Sequence, residues 1–187
     1  DDPFRSSRLS FGAAFQATDA LRVGLNGFVT RQESEFDEST GAGPVDGTPG
    51  DEFGSQEERG LRLFAEIDNG GAWSHRFTAS YYDIERNQTS ATVAPGSFAA
   101  FTSRFVGARN RIEWLSSVEA NDVVTLSFGA DFEKLVSKDT SIPGGRASTE
   151  NTGVFVEAIY SPGDRLDLIG TLRHDDNSQF GGETTGK

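Results

Sequence analysis

The feature that most constrains this chain is the alternation of apolar and polar residues, repeated over many short stretches. Val124, Leu126, Phe128, Ala130 and Phe132 interleave with Thr125, Ser127, Gly129, Asp131 and Glu133. A period of two puts all the apolar side chains on one face of a strand, whereas on a helix it would scatter them around the axis. Leu21, Val23, Leu25 and Val29 stand opposite Arg22, Asn26 and Thr30, and Leu61, Leu63, Ala65 and Ile67 opposite Arg62 and Glu66. Leu166, Leu168 and Leu172 oppose Arg165, Asp167 and Arg173; Val154, Val156, Ala158 and Tyr160 oppose Glu157, with Phe155 and Ile159 as less polar exceptions. Leu9, Phe11, Ala13 and Phe15, then Trp73, Phe77, Ala79 and Tyr81, then Val106, Ala108, Ile112 and Trp114 bring the expected total to eight strands. His75 and Asn110 fall on apolar faces, which calls for a bulge or a different register at those points.

The connections alternate as strictly as the residues. Short ones are expected at Ala17 to Ala20, Asp68 to Gly71, Ser117 to Asp122 and Ser161 to Asp164, and long ones at Gln32 to Arg59, Asn87 to Ser103, Leu135 to Glu150 and from Asp175 onward. Long structureless connections are uncommon in compact soluble domains, whereas outer-membrane barrels have short turns on the periplasmic side and long loops outside. Composition agrees: hydrophobic residues make up 35%, mean hydropathy is -0.46, and no run reaches the roughly 18 apolar residues of a spanning helix. A barrel strand averages to a polar composition because only every second residue meets lipid. Phe15, Trp73, Trp114 and Tyr160 lie on apolar faces near short turns and are expected to form one aromatic girdle at the membrane interface. Tyr81, eight positions beyond Trp73, would stand about 20 Å higher along the membrane normal, at the other girdle. The fold class expected is all-β, an antiparallel up-and-down meander of about eight strands forming part of a transmembrane β-barrel. Residues 1–187 read as a single segment of four hairpins.

Other chemistry finds little footing. The chain has no cysteine, so thiolate metal sites and cysteine nucleophiles are excluded. A net charge of -12 argues against nucleic acid, which needs clustered Lys and Arg to displace counterions. His75 and His174 lie on separate strands, and no phosphate-binding loop or nucleophile elbow occurs, so an enzyme is not expected. Asp37, Glu38, Asp46, Asp51 and Glu52 share one Gly-rich loop and could hold calcium through hard oxygen ligands, but the spacing matches no EF-hand and a solvated acidic loop is the simpler reading. No cofactor is expected. Arg62, Glu66, Arg109, Arg111, Glu113, Asp131, Glu133, Glu157 and Arg173 point away from the apolar face, where a polar lumen explains them without a ligand, each cross-strand pair contributing about 0.2 to 1 kcal/mol.

The closing segment, Leu172-Arg173-His174-Asp175-Asp176-Asn177-Ser178-Gln179-Phe180-Gly181-Gly182-Glu183-Thr184-Thr185-Gly186-Lys187, resembles a stretch of TonB-dependent receptor barrels, with Arg173, Asp175, Asp176, Phe180 and Gly181 carrying the likeness. Gly153 to Glu157 and Tyr160 to Leu166 fit the same family's strand, turn and strand, closest in flavour to the cobalamin-receptor branch. The resemblance implies a wall fragment of a bacterial outer-membrane receptor that imports a scarce ligand such as a siderophore or cobalamin. It implies a barrel of about 22 strands, a plug domain and further C-terminal strands outside this segment, energy delivered by TonB, and outer-membrane lipid as the partner of the apolar face. Two rivals stand beside it: a small complete barrel with a structural or adhesive role, and a soluble β-sandwich binding module with its apolar faces packed together.

Overall fold

The computed structural model describes residues 3–36, 38–40, 43–45, 52–90, 100–140 and 142–187. The described residues form eleven strands in succession: β1 (Phe4–Gln16), β2 (Leu21–Phe36), β3 (Glu38–Thr40), β4 (Gly43–Val45), β5 (Glu52–Asp68), β6 (Trp73–Ser90), β7 (Phe101–Asn121), β8 (Val124–Asp139), β9 (Arg146–Gly163), β10 (Leu166–Asn177) and β11 (Gly181–Gly186). Nine form one open sheet in the order β1-β2-β5-β6-β7-β8-β9-β10-β11, and β3 and β4 make a small separate hairpin. Each strand of the large sheet pairs antiparallel with its neighbour in that order.

The meander has nine strands rather than eight, because the segment after Asp175 is not a loop. β10 runs to Asn177, whose side-chain oxygen accepts hydrogen bonds from the Gln179 and Phe180 amides at 2.9 and 3.3 Å. Gly181 then takes a φ of 79°, a left-handed conformation that costs glycine least, and β11 returns along β10. Its sequence, GGETTG, carries no apolar side chain, so only its backbone ladder makes it a strand.

The expected long connections also shrink. β2 extends to Phe36 and β5 starts at Glu52, β6 reaches Ser90 and β7 starts at Phe101, and β8 reaches Asp139 while β9 starts at Arg146. In these stretches apolar residues such as Phe53, Leu135 and Val136 occur without regular spacing, so the alternation that marks a strand disappears while the ladder continues. The four short turns are present, and the one expected at Ser117 to Asp122 tightens to Asp122 and Val123 because β7 runs on to Asn121. Thr18 Oγ1 accepts from the Ala20 and Leu21 amides, Asp68 Oδ1 from Gly70, and Asn121 Oδ1 from Val123, local bonds that stand in for the ladder where the chain reverses.

His75 and Asn110 need neither a bulge nor a new register. They pair with Ser116 and Tyr81 in an unbroken ladder, while the irregularities fall elsewhere, between Glu119 and Asn121 and between Leu166 and Leu168. Among the described residues no second layer covers the large sheet. Among the described residues no apolar side chain is buried, and Leu9, Phe15, Ile112 and Leu168 are 66%, 68%, 62% and 54% exposed. A sandwich would have buried them, and a small complete barrel would have joined β1 to β11, which are instead the outer strands of the sheet.

Candidate functional site

The two faces of the sheet differ in chemistry, and pairing register fixes which residues share each. On the apolar face, the last apolar residue before the first polar one is Leu9 on β1, Val29 on β2, Leu61 on β5, Tyr81 on β6, Ile112 on β7, Phe132 on β8, Val154 on β9 and Leu172 on β10. The next outward residues from β2 onward are Arg31, Arg59, Asp83, Asn110, Lys134, Thr152 and His174. Ala108, Val106 and Val136 are isolated apolar residues above this boundary.

The boundary does not run along the hydrogen bonds. Leu9 pairs with Val29, but the ladder from Leu172 runs through Val156, Phe128, Ser116, His75 and Ile67 to Leu21. The apolar edge thus drops from Val29 to Leu21, eight residues, over the six strand-to-strand steps between β2 and β10. At about 3.3 Å per residue and 4.8 Å per step, that slope corresponds to strands tilted by about 40° from the normal of the apolar band. Membrane barrels tilt their strands by about 35 to 45°. The lower edge drops in parallel, from Phe15 on β1 through Trp73 on β6 to Tyr160 and Leu168 on β9 and β10. A flat apolar slab crossing a tilted ladder is what a bilayer imposes, and a protein layer packed on the sheet would follow no such plane.

The aromatic residues singled out in the sequence take these places. Phe15, Trp73 and Tyr160 lie at the lower edge, and Tyr81 is the last apolar residue before Asp83. Trp114 is the departure, since it pairs with Phe77 and Ala130 and so stands well above the short turns instead of at their level. Its ring stacks on His75 with centroids 6.5 Å apart, His75 stacks on Trp73 at 6.1 Å, and Phe128 meets both tryptophans edge-on at 5.8 and 5.6 Å. The indoles sandwich the imidazole and so accommodate a histidine on an apolar face.

The opposite face collects the charges. Glu66 bridges Arg22 and Arg76, both at 2.9 Å, across β2, β5 and β6. Arg109 donates to Glu133 at 2.7 Å, and Arg111 reaches Glu113 at 2.9 Å and Asp131 at 3.7 Å. Arg173 crosses from β10 over Gly153 of β9 to Asp131 of β8 at 2.9 Å, while holding Asp175 on its own strand at 2.7 Å. Any Cβ at Gly153 would collide with the Arg173 guanidinium, so the missing side chain is what lets one arginine span three strands. Asn151 completes the group with a 3.1 Å bond to Asp175, and Thr171 donates to Glu157 at 3.2 Å. Arg62 instead lies 5.9 Å over the Phe64 ring.

Of the residues carrying the family likeness, Arg173 and Asp175 therefore belong to a polar-face brace, Asp176 faces the other side opposite Thr152 and Gly182, and Phe180 and Gly181 form the turn. In the acidic loop, Asp37, Asp46 and Asp51 lie outside the described residues, Glu38 lies in β3, and the Glu52 carboxylate accepts a 3.3 Å bond from Gln88.

Sequence reasoning missed a set of cross-strand partners. Phe28 faces Gly60, Phe64 faces Gly24 and Phe155 faces Gly129 on the polar side, and Phe11 faces Gly27 on the apolar side. In each case the ring lies where a Cβ of the glycine would be. Aromatic rings laid across strand glycines shield backbone that has no side chain of its own. Phe155, an exception in the alternation, is explained by this contact.

One sheet, one flat apolar band crossing tilted strands and one charged face define the wall of a membrane-spanning β-barrel. The chain matches the family described as TonB dependent receptor-like, beta-barrel, over residues 2–187 and belongs to it. That is an outer-membrane family of transporters rather than enzymes. No curated protein matches it in sequence. Among solved structures it is similar to the siderophore receptor PirA from Pseudomonas aeruginosa, with a TM-score of 0.75 and 18% identity over 98% of this chain and 29% of that one. PirA from Acinetobacter baumannii gives 0.74 and 15%, over 99% and 31%. A double mutant of the ferric enterobactin receptor PfeA from Pseudomonas aeruginosa gives 0.74 and 12%, over 100% and 30%. The chain spans about 30% of the length of these receptors, and at such identities the likeness is one of fold.

Proposed function

We propose that residues 1–187 form one segment of the wall of a receptor that takes up a ferric siderophore across the outer membrane. Further barrel strands, a plug and TonB complete the machine. The observation that carries the ligand class is a set of polar-face cations without carboxylate partners. Among the described residues Arg8, Arg62 and Arg86 form no ion pair, although most other arginines of that face do. Arg8 sits 4.7 Å over the Phe28 ring, and Phe28 meets Tyr82 at 6.4 Å. Toward the loop side Arg86 lines a concavity of about 260 Å³ with Phe4, Gln32, Gln56 and Gln88. Uncompensated cations beside aromatic rings and amides suit a bulky anionic chelate. The three receptors above are named for siderophores or a ferric chelate, which supports a siderophore over cobalamin in this reading.

In the same reading Phe15, Trp73 and Tyr160 lie at one membrane interface and Tyr81 at the other, with Trp114 inside the band. Arg173 and Asp175 brace the wall while Phe180 and Gly181 shape an external turn. Binding of a ferric catecholate and of cyanocobalamin to the intact receptor, measured by calorimetry, tests the ligand class. The ferric chelate binds, and Arg86→Ala weakens it about tenfold, the worth of one charge-assisted contact. Binding of cyanocobalamin with no response to any ferric chelate would overturn the reading.

A further inference from the structure

On the apolar side of the sheet, above the apolar band, cations and carboxylates form a balanced rim. Arg31 pairs with Glu57 at 3.1 Å, Arg59 with Asp83 at 2.9 Å, Arg104 with Glu85 at 2.8 Å and Lys134 with Glu150 at 2.6 Å. Between β8 and β9 the rim brings two like charges together. Lys138 on β8 and Arg146 on β9 are direct cross-strand partners, both are exposed, and among the described residues neither forms an ion pair. Arg104 stands one pairing step further toward the loops on β7, where its amide bonds Thr140 Oγ1 at 2.8 Å. Among the described residues on this side of the sheet, these three cations share a patch with the carboxylate of Glu85, which pairs with Arg104.

Like charges directly opposite on a ladder repel, and a chain with a net charge of -12 has acidic residues in abundance with which to neutralise them. Cross-strand partners lie about 5 Å apart, and the diagonal neighbour about 7 to 8 Å, spacings at which one phosphate can accept from two or three of these side chains. Height narrows the source. Lys138 lies six residues beyond Phe132, the upper edge of the band on β8, which at the tilt derived above is about 15 Å outside the hydrocarbon. The phosphate of an ordinary glycerophospholipid sits close to the hydrocarbon edge, so the occupant needs phosphates carried outward on a large headgroup.

We infer that Lys138, Arg146 and Arg104 form an outward-facing dock for phosphate groups on the saccharide headgroup of an outer-leaflet glycolipid. This dock rests on the membrane reading of the apolar face but not on the identity of the transported ligand. Its place on the lipid side separates it from the polar-face cations proposed to meet the siderophore.

The test is co-purification of glycolipid with the intact receptor in bilayer discs. The discs contain a glycolipid with phosphorylated core sugars, the same glycolipid after phosphatase treatment, or phosphatidylglycerol, and bound lipid is measured by native mass spectrometry. The phosphorylated glycolipid is retained about tenfold better than either of the others, and Lys138→Gln with Arg146→Gln removes that preference, on the scale expected for two cations near an anionic surface. Arg165→Ala, at the short-turn end, leaves the preference intact. Equal retention of phosphorylated and dephosphorylated glycolipid by the unaltered protein overturns the dock whether or not the double variant folds. So does equal loss with Arg165→Ala, which would reveal a general charge effect. Failure of the protein to enter the discs at all would overturn the membrane reading instead.

Discussion

The tilt of the apolar band makes residues in one ladder row unequal, and this can be measured. Leu25 on β2 is linked through Leu63, Ala79, Ile112 and Phe132 to Thr152 on β9. In an untilted sheet these residues would share one depth. With strands at about 40°, the five steps from Leu25 to Thr152 climb about 15 Å along the band normal. Leu25 then sits mid-band, and Thr152 is the first residue above it on its strand. An arginine on the lipid face costs about 2 to 4 kcal/mol at the bilayer midplane and about 0 to 1 near the interface. Leu25→Arg is therefore expected to destabilise the receptor by about 2 to 4 kcal/mol and Thr152→Arg by no more than about 1 kcal/mol. Chemical unfolding from phospholipid vesicles, with each variant compared at the same denaturant concentration, reads the difference. Equal costs at the two positions would refute the slope from which the tilt was drawn.

Two further outcomes follow from the side-chain geometry. Gly153→Ala drives the Arg173 guanidinium off Asp131 and Asp175 and is expected to cost about 1 to 3 kcal/mol by overpacking, whereas Gly170→Ala, with open space around its Cβ position, costs less; unfolding of the two variants side by side checks this. The Glu85 carboxyl lies above the apolar band and is held below the usual carboxylate range, first by the hydrogen bond from Arg104 and then by that from Asn87. Because its acidity is increased in the folded state, its contribution is present above the ordinary carboxylate range and is lost as pH falls through the depressed value. Glu85→Gln should therefore lower stability at pH 7 by at most about 1 kcal/mol and make no difference in strong acid, as measured by unfolding at the two pH values.

The part of the fold that could be read from the sequence is the part that touches lipid. Between Val124 and Phe132 the bilayer demands one apolar face, and the demand is written as alternation. Above the band the alternation is lost, so β6 beyond Arg86 and β8 beyond Lys134 read as loop although their ladders run on. β11 was hidden for the same reason, since a strand made of glycine, threonine and glutamate satisfies its backbone without leaving a pattern. The charged face was legible as a list, and Asp131, Glu133 and Arg173 do lie together, but who pairs with whom depends on register. That Arg173 reaches Asp131 across Gly153 could not be seen without knowing that Asp131, Gly153 and Asp175 lie in one row of β8, β9 and β10, with Arg173 two residues away on the same face. Likewise the glycines at 24, 27, 60 and 129 gain meaning only once each is found opposite a phenylalanine. Trp114 stands higher than a turn beginning at Ser117 implies, because β7 continues to Asn121 before reversing.

The account depends most on one face meeting hydrocarbon and the other meeting water. Nitroxide labels placed singly at positions 124 to 132 of the intact receptor in lipid vesicles, with relaxation by oxygen and by a polar nickel chelate recorded at each, address this directly. Labels at 124, 126, 128, 130 and 132 should respond to oxygen and be shielded from nickel, while those at 125, 127, 129, 131 show the smaller oxygen response. Apolar-face labels shielded from both reagents, as under a second protein layer, or an oxygen response without a two-residue period, would contradict it.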